Sequence, residues 1–402
     1  MKRYFNNFGE RVIEGIITLS GTVTSITVLL IVFFLFKEGL GVFSQTPVAE
    51  GSVIAVNKQN PVKELTAHQV KEIWDQNITN WKQLGGQDAP IKLFEVDDIT
   101  DYYTDEQIGA EFEYLPQRLS ELVAKEPHIL AFFPDEYLPK EFAGRQIKLD
   151  NVSPGSFLGG REWYPTIQPA VQLGVLPLIL GTLWVSLGAI LIALPLGLAT
   201  SIYLAEIANP KVRNFLKPVI ELLAGIPSVV YGFFGLVVVV PLIQDVFGLP
   251  VGETALAGSI ILGIMALPTI ISVSEDAMRT TPRAMKEASL ALGANKWQTI
   301  YRVIIPYSIS GISTAAILGI GRAIGETMAV LMVTGNASVI PHTFLEPVRT
   351  IPATIAAELG EAPQGGIHFQ ALFALGCILF LMTLAINMTV DLVSAKKKAN
   401  RS

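Results

Sequence analysis

The sequence predicts an α-helical polytopic membrane protein with six transmembrane helices and a small extracytoplasmic α/β domain inserted after the first. Three observations predict this. Half of the 402 residues are hydrophobic and 16% are charged, a balance foreign to soluble chains of this length. Uncharged runs of membrane-crossing length recur along the chain. Charge is also segregated: residues 41–170 hold 20 acidic and 11 basic side chains, a net of −9, while the whole chain carries −6, so the remainder is basic by 3.

The first uncharged run is Gly15 to Phe36. At about 1.5 Å per residue it extends about 33 Å, enough to cross a bilayer. Lys2, Arg3 and Arg11 precede it, and no small-x-small cleavage site follows at Lys37-Glu38. It therefore reads as a retained helix and not as a signal peptide. Residues 41–170 alternate short apolar runs such as Ser52-Val53-Ile54-Ala55-Val56 with turn chemistry such as Asn57-Lys58-Gln59-Asn60-Pro61, the pattern of a small α/β domain. Val171 to Ala205 is again uncharged; a helix is expected from Leu173 to Ala205, kinked at Pro177 and Pro195. A loop carries Lys211, Arg213 and Lys217. Further spans are expected at Val219–Ile243, Ala255–Val273 and Ile309–Thr334, and the sixth at Phe369–Val393, before Lys396-Lys397-Lys398. This divides the chain into residues 1–40 (tail and first helix), 41–170 (inserted domain) and 171–402 (five helices, with a polar loop at 275–306).

Lysine and arginine set the orientation. The N-terminus, the 206–217 and 275–306 loops and the C-terminal tail together carry 15, the 244–253 loop carries none, and the 335–368 loop carries only Arg349. Both termini are expected in the cytoplasm of a bacterium, with residues 41–170 and 335–368 across its cytoplasmic (inner) membrane. Cys377 is the only cysteine, so a disulfide framework and a thiolate metal site are excluded. His68, His128, His342 and His368 are too scattered for a metal site. No G-x-x-x-x-G-K-[ST] string occurs, so any use of ATP needs a partner. No catalytic residue, bound cofactor or nucleic-acid partner is expected; lipid surrounds the chain.

The 275–306 loop holds Glu287-Ala288-Ser289, then Gly293-Ala294, then Val303-Ile304-Ile305-Pro306. Thr281-Pro282 opens a helix, Gly293 permits a sharp turn, and a second helix leads to Pro306. The string is similar to the coupling loop of ABC-importer permeases, E-A-A, three residues, G, nine residues, I-x-L-P. Ser replaces the second Ala, and Val and Ile stand for Ile and Leu. The resemblance implies a type I importer permease fold and a short helix that docks on an ATP-binding cassette ATPase, with Glu287, Ala288, Gly293, Ala294 and Pro306 in the coupling role.

Arg322 and Glu326 lie four apart inside an otherwise apolar run, which places them on one helical face. Charges there are costly. Two readings compete: an ion pair that hides both charges, or an arginine that meets an anionic substrate, because guanidinium matches tetrahedral oxyanions. The second is preferred. Gly319, Gly321 and Gly325 allow close packing or close ligand approach. The string Gly321-Arg322-Ala323-Ile324-Gly325-Glu326-Thr327-Met328-Ala329-Val330 resembles the phosphate-importer permeases of the PstC subunit family, which implies that Arg322 and Glu326 are needed for phosphate transport. Glu221 to Gly232 is similar to the same family. There Gly225 and Pro227 interrupt a helix inside the bilayer, and Ser228 and Tyr231 offer hydroxyls to an anion; a plain kink is the competing reading.

Ser52–Asn57, Leu65–Val70, Ile78-Thr79-Asn80-Trp81 and Leu84-Gly85-Gly86 resemble part of a phosphate-binding protein. Where that family places an Arg and a Ser-Gly-Thr for phosphate, this chain has Glu95, Asp97, Asp98, Asp101 and Asp105, which repel the anion. The resemblances imply a phosphate permease working with a PstA-like second permease, an ATPase dimer that uses ATP and Mg, and a separate extracytoplasmic phosphate-binding protein. A permease for sulfate or molybdate and a membrane phosphate sensor remain the alternatives.

Overall fold

The computed structural model describes the backbone of residues 2–109 and 111–399 and the side chains of residues 13–109 and 111–389. Lys2, Arg3, Arg11, Lys396, Lys397, Lys398 and Arg401, used above for orientation, lie outside the described side chains. Among the described residues six helices are long and apolar enough to cross a membrane: Ile13–Ser44, Leu176–Ile207, Ser228–Phe247, Ala255–Arg279, Lys296–Ile324 and Ile367–Thr389. They are called the first to sixth spans below. Each falls at one of the predicted places. Pro195 lies inside the second span, but Pro177 does not kink it. Pro177 occupies the first turn, where its missing N–H leaves no bond unmade.

The second and fourth spans form the centre. Their contact runs through small residues: a Cβ on Gly188 would lie 2.3 Å from the Ser259 hydroxyl, so only glycine permits that approach. Ser259 in turn donates to the carbonyls of Ala255 and Val185. Val185, Ala189, Ile261, Leu262 and Met265 fill the core with Val330 and Val333. The first span packs against the sixth by edge-to-face pairs, Phe34 on Phe373 at 5.5 Å and Phe36 on Phe380 at 6.1 Å.

Between the first and second spans stands a four-stranded sheet, ordered Lys92–Glu95, Ile129–Pro134, Ser52–Val56, Arg145–Gln146. The central pair is antiparallel, with Ile54 opposite Phe132 and Val56 opposite Leu130. Because side chains alternate along a strand, Ile54, Val56, Leu130 and Phe132 face one core with Val70, Ile73 and Trp81. Ala55, Ile129, Ala131 and Phe133 face the other, with Leu119 and Val123. Helix Ala67–Trp74 therefore covers one side of the sheet and Leu115–Lys125 the other. The inserted domain lies on the same side of the bundle as the 335–366 segment: the Glu50 carboxylate accepts from the Ile367 backbone N–H at 3.0 Å. The 206–217 and 275–306 segments meet at the opposite side, where Lys286 pairs with Glu206.

Candidate functional site

Two of the helices are interrupted, and the interruptions lie side by side. Helix Pro210–Ala224 stops at Gly225, and the next helix starts at Ser228. Pro227 causes this: it has no N–H and drives Ile226 out of helical backbone. The Tyr231 hydroxyl donates to the Leu223 carbonyl at 2.8 Å, adding to the Ile226 N–H that this carbonyl already accepts at 3.3 Å. Neighbours fix the depth. Lys217, before the break, pairs with Glu275 and Asp276 near the end of the fourth span. Gly235, after it, packs on Ile261 near that span's beginning. The break thus lies between the two ends of the bundle, at a depth where irregular backbone is tolerated only if buried or lining a cavity.

The helix expected over Ile309–Thr334 is interrupted just past the end of the fifth span. Helix Ile305–Ile324 ends at Gly325, and Met328–Val333 begins anew. Arg322 and Glu326 therefore do not share a helical face. The Glu326 carboxylate turns to the backbone and accepts from the N–H groups of Thr327 at 3.1 Å and Ala329 at 3.4 Å. Among the described residues no ion pair joins Arg322 to Glu326. The cause is local: Gly319, Gly321 and Gly325 weaken the helix, and a carboxylate next to freed N–H groups stabilises the start of a new one.

Gly232 brings the two interrupted helices together. A Cβ there would lie 2.7 Å from the Met332 sulfur and 3.0 Å from the Ala329 Cα. Arg322 is half-buried, one turn before the fifth-helix break at Gly325. Ser228, also half-buried, is the first residue of the helix that carries Tyr231. The arrangement presents a guanidinium with no carboxylate partner among the described residues, suited to bidentate contact with a tetrahedral oxyanion. Tyr231 differs from the expectation in one respect: its hydroxyl proton is committed to Leu223 and serves the break, leaving only its oxygen lone pairs.

The 275–306 segment forms a hairpin. Glu287 and Ala288 lie exposed on helix Arg283–Ala291, Gly293 turns the chain at φ +84°, Ala294 follows, and Pro306 sits in the first turn of Ile305–Ile324. The Ser289 and Thr299 hydroxyls bond across the hairpin at 3.0 Å. Its tip displays Leu292, 88% exposed, and Trp297, 62% exposed, an apolar surface outside the bundle. Sequence reasoning missed what anchors this end. The fully buried Glu275 carboxylate meets Arg213 at 2.7 Å, Lys217 at 3.0 Å and Arg279 at 3.6 Å. A buried carboxylate needs such partners, and the Glu275-Asp276 pair closing an apolar run, with Arg279 one turn on, was the signal available.

The 335–350 loop covers the other ends of the second and fourth spans. Phe344 stacks on Trp184 at 5.0 Å. The Phe344 and Glu346 carbonyls accept from the first N–H groups of the fourth span, Leu256 at 2.7 Å and Ala255 at 2.9 Å. The His342 backbone N–H, and then that of Thr343, hold the Glu346 carboxyl below its ordinary pKa. A depressed carboxylate pKa means that this clamp is present at neutral pH and is lost in acid, as pH falls through the lowered value.

Residues 193–398 match the family described as the binding-protein-dependent transport system inner membrane component, and residues 36–104 match the PBP superfamily domain. The chain is 41% identical over 250 residues to a probable ABC transporter permease protein, YqgH, of Bacillus subtilis, covering 62% of this chain and 81% of that protein. It is 40% identical over 250 residues to the phosphate transport system permease protein PstC of Mesorhizobium japonicum, covering 58% and 75%. With the protein of that name from Xylella fastidiosa it shares 37% over 265 residues, covering 61% and 79%.

Proposed function

The chain belongs to the family of binding-protein-dependent transport system inner membrane components, and on that premise we propose that it is the permease subunit of an ATP-driven phosphate importer. The observation that carries the substrate is the 40% identity to a phosphate transport system permease. Arg322, without a carboxylate partner among the described residues and beside paired helix interruptions, supports it, since such breaks in transporters line the substrate route. The subunit has a type I importer permease fold and is not an enzyme; a partner ATPase dimer hydrolyses ATP. The exposed Leu292 and Trp297 surface suits docking of that ATPase, and a PstA-like permease completes the path. In this reading both termini and the 275–306 hairpin face the cytoplasm, and the inserted domain faces the other side of the inner membrane.

Vesicles holding the four-component complex test the substrate. Uptake of phosphate should require ATP and compete with arsenate, while sulfate and molybdate in tenfold excess leave it unchanged. Uptake of sulfate or molybdate in place of phosphate would overturn the reading.

The inserted domain is proposed to position the separate binding protein and not to hold phosphate. Glu95, Asp97, Asp98, Asp101 and Asp105 are exposed. Two of them serve local structure: Glu95 accepts from the Trp74 indole at 2.7 Å, and Asp98 from the Glu95 N–H at 2.8 Å. Calorimetry on the full chain in nanodiscs should show no micromolar phosphate binding that depends on residues 41–170. Such binding, lost when those residues are removed, would make the domain a receptor.

A further inference from the structure

Glu358 closes helix Ile351–Glu358, between the fifth and sixth spans. Its side chain is only 15% exposed, and three donors from three parts of the chain converge on it. Arg349, from the end of the 335–350 loop, meets it at 2.7 Å. His368, at the start of the sixth span, meets it at 2.9 Å. The Trp163 indole N–H donates to both carboxylate oxygens, at 3.1 and 3.3 Å.

Trp163 belongs to the inserted domain's base, and it is itself fixed. Its ring is 1% exposed. Its neighbour Glu162 pairs with Lys71 at 3.0 Å, which ties it to the helix covering the sheet. On the other side, Arg349 is seated tightly: a Cβ on Gly181 of the second span would lie 2.3 Å from the Arg349 carbonyl. The helix that ends in Glu358 starts with the Ile351 N–H bonded to Thr182 at 2.9 Å. Along its length Pro352, Ile355 and Ala356 line one groove with Gly325 and Thr327 of the fifth-span interruption.

We propose that Glu358 is a positioning residue that yokes the inserted domain to the loop covering the second and fourth spans. Through helix Ile351–Glu358 it also reaches the interruption beside Arg322. The domain and the 335–358 segment then move as one body. A partner seated on the domain acts on the covered end of the path through this junction, without contacting the loop itself. The physical reason is shared use of one acceptor: a largely buried carboxylate that gives up the Trp163 N–H keeps the Arg349 charge but loses a hydrogen bond that water does not replace there, so the three parts are held together.

The proposal rests on the transport reading above, and its test separates the two. Trp163→Phe removes one N–H and keeps an aromatic ring; Glu358→Gln keeps the shape and removes the charge. Both are made in the full chain within the complex in nanodiscs. Amide hydrogen exchange in residues 337–358 should accelerate at least tenfold in each variant while that of the fourth span stays unchanged. This arm needs no substrate. ATPase activity stimulated by phosphate-loaded binding protein should fall about tenfold, with basal ATPase and binding-protein affinity unchanged. Unchanged exchange in 337–358 in both variants would overturn the yoke, as would a parallel fall of basal and stimulated activity, which marks a merely structural contact. Absence of stimulation in the unaltered complex would instead count against the transport reading and leave the exchange result to decide the yoke.

Discussion

Arg322→Gln should reduce phosphate uptake at least a hundredfold while the complex still assembles, and adding Glu326→Gln should not restore it. The magnitude follows from what the guanidinium supplies. Each hydrogen bond to a charged group contributes about 1.5–3 kcal/mol, so losing a bidentate pair to an oxyanion costs roughly 3–6 kcal/mol, or about two to four powers of ten. The absence of rescue follows from the geometry. Were the two residues an ion pair, neutralising both would remove a stranded charge. The Glu326 carboxylate instead accepts from the Thr327 and Ala329 N–H groups. Glu326→Gln keeps an acceptor oxygen for those bonds, so alone it should lower uptake by less than tenfold. Uptake near the original level in the double variant, measured in vesicles, would remove Arg322 from the substrate route.

How much of this was legible beforehand depends on the range of the interaction. The six spans were, because an uncharged run such as Gly15 to Phe36 states by its own length and composition that it can cross a bilayer. The sheet strand Ser52–Val56 was partly legible, since a short β-branched run bounded by turn residues reads as a strand, whereas its partner Ile129–Pro134 was not singled out. The third-span interruption was legible because Pro227 acts locally. That in the fifth was not: glycines and a carboxylate capping its own following turn leave an apolar run that reads as one helix. Arg322, Ser228 and Tyr231 could be singled out as unusual groups at membrane depth. That Tyr231 serves Leu223, and that Gly232 packs its helix on Ala329 beyond the second break, required the three-dimensional packing. The Glu275 and Glu358 clusters join residues 62 and 195 positions apart, Arg213 with Glu275 and Trp163 with Glu358. No periodicity carries information over that distance.

Gly293→Asp should leave folding and membrane insertion intact and reduce stimulated ATPase activity at least tenfold. The two halves of that statement have separate causes. At φ +84° a residue other than glycine is strained by about 1–2 kcal/mol, and aspartate tolerates this region better than most. Among the described residues no atom lies within 4 Å of the Cβ that would be added, so no clash with them adds to that strain. The turn should persist, held by the Ser289–Thr299 bond and rooted through Lys286 on Glu206. What the substitution changes is the surface. It sets a carboxylate beside Leu292, the most exposed large apolar side chain of the hairpin, where docking on the ATPase requires desolvation. An unpaired charge at the centre of an interface costs several kcal/mol, which the strain alone does not reach. Thermal unfolding of the detergent-solubilised subunit should therefore shift by only a few degrees, while coupling is lost. Full stimulation of the ATPase by the variant would show that Gly293 and its neighbours do not form the docking surface. Loss of stimulation together with a large fall in melting temperature would assign the glycine to the fold of the hairpin instead.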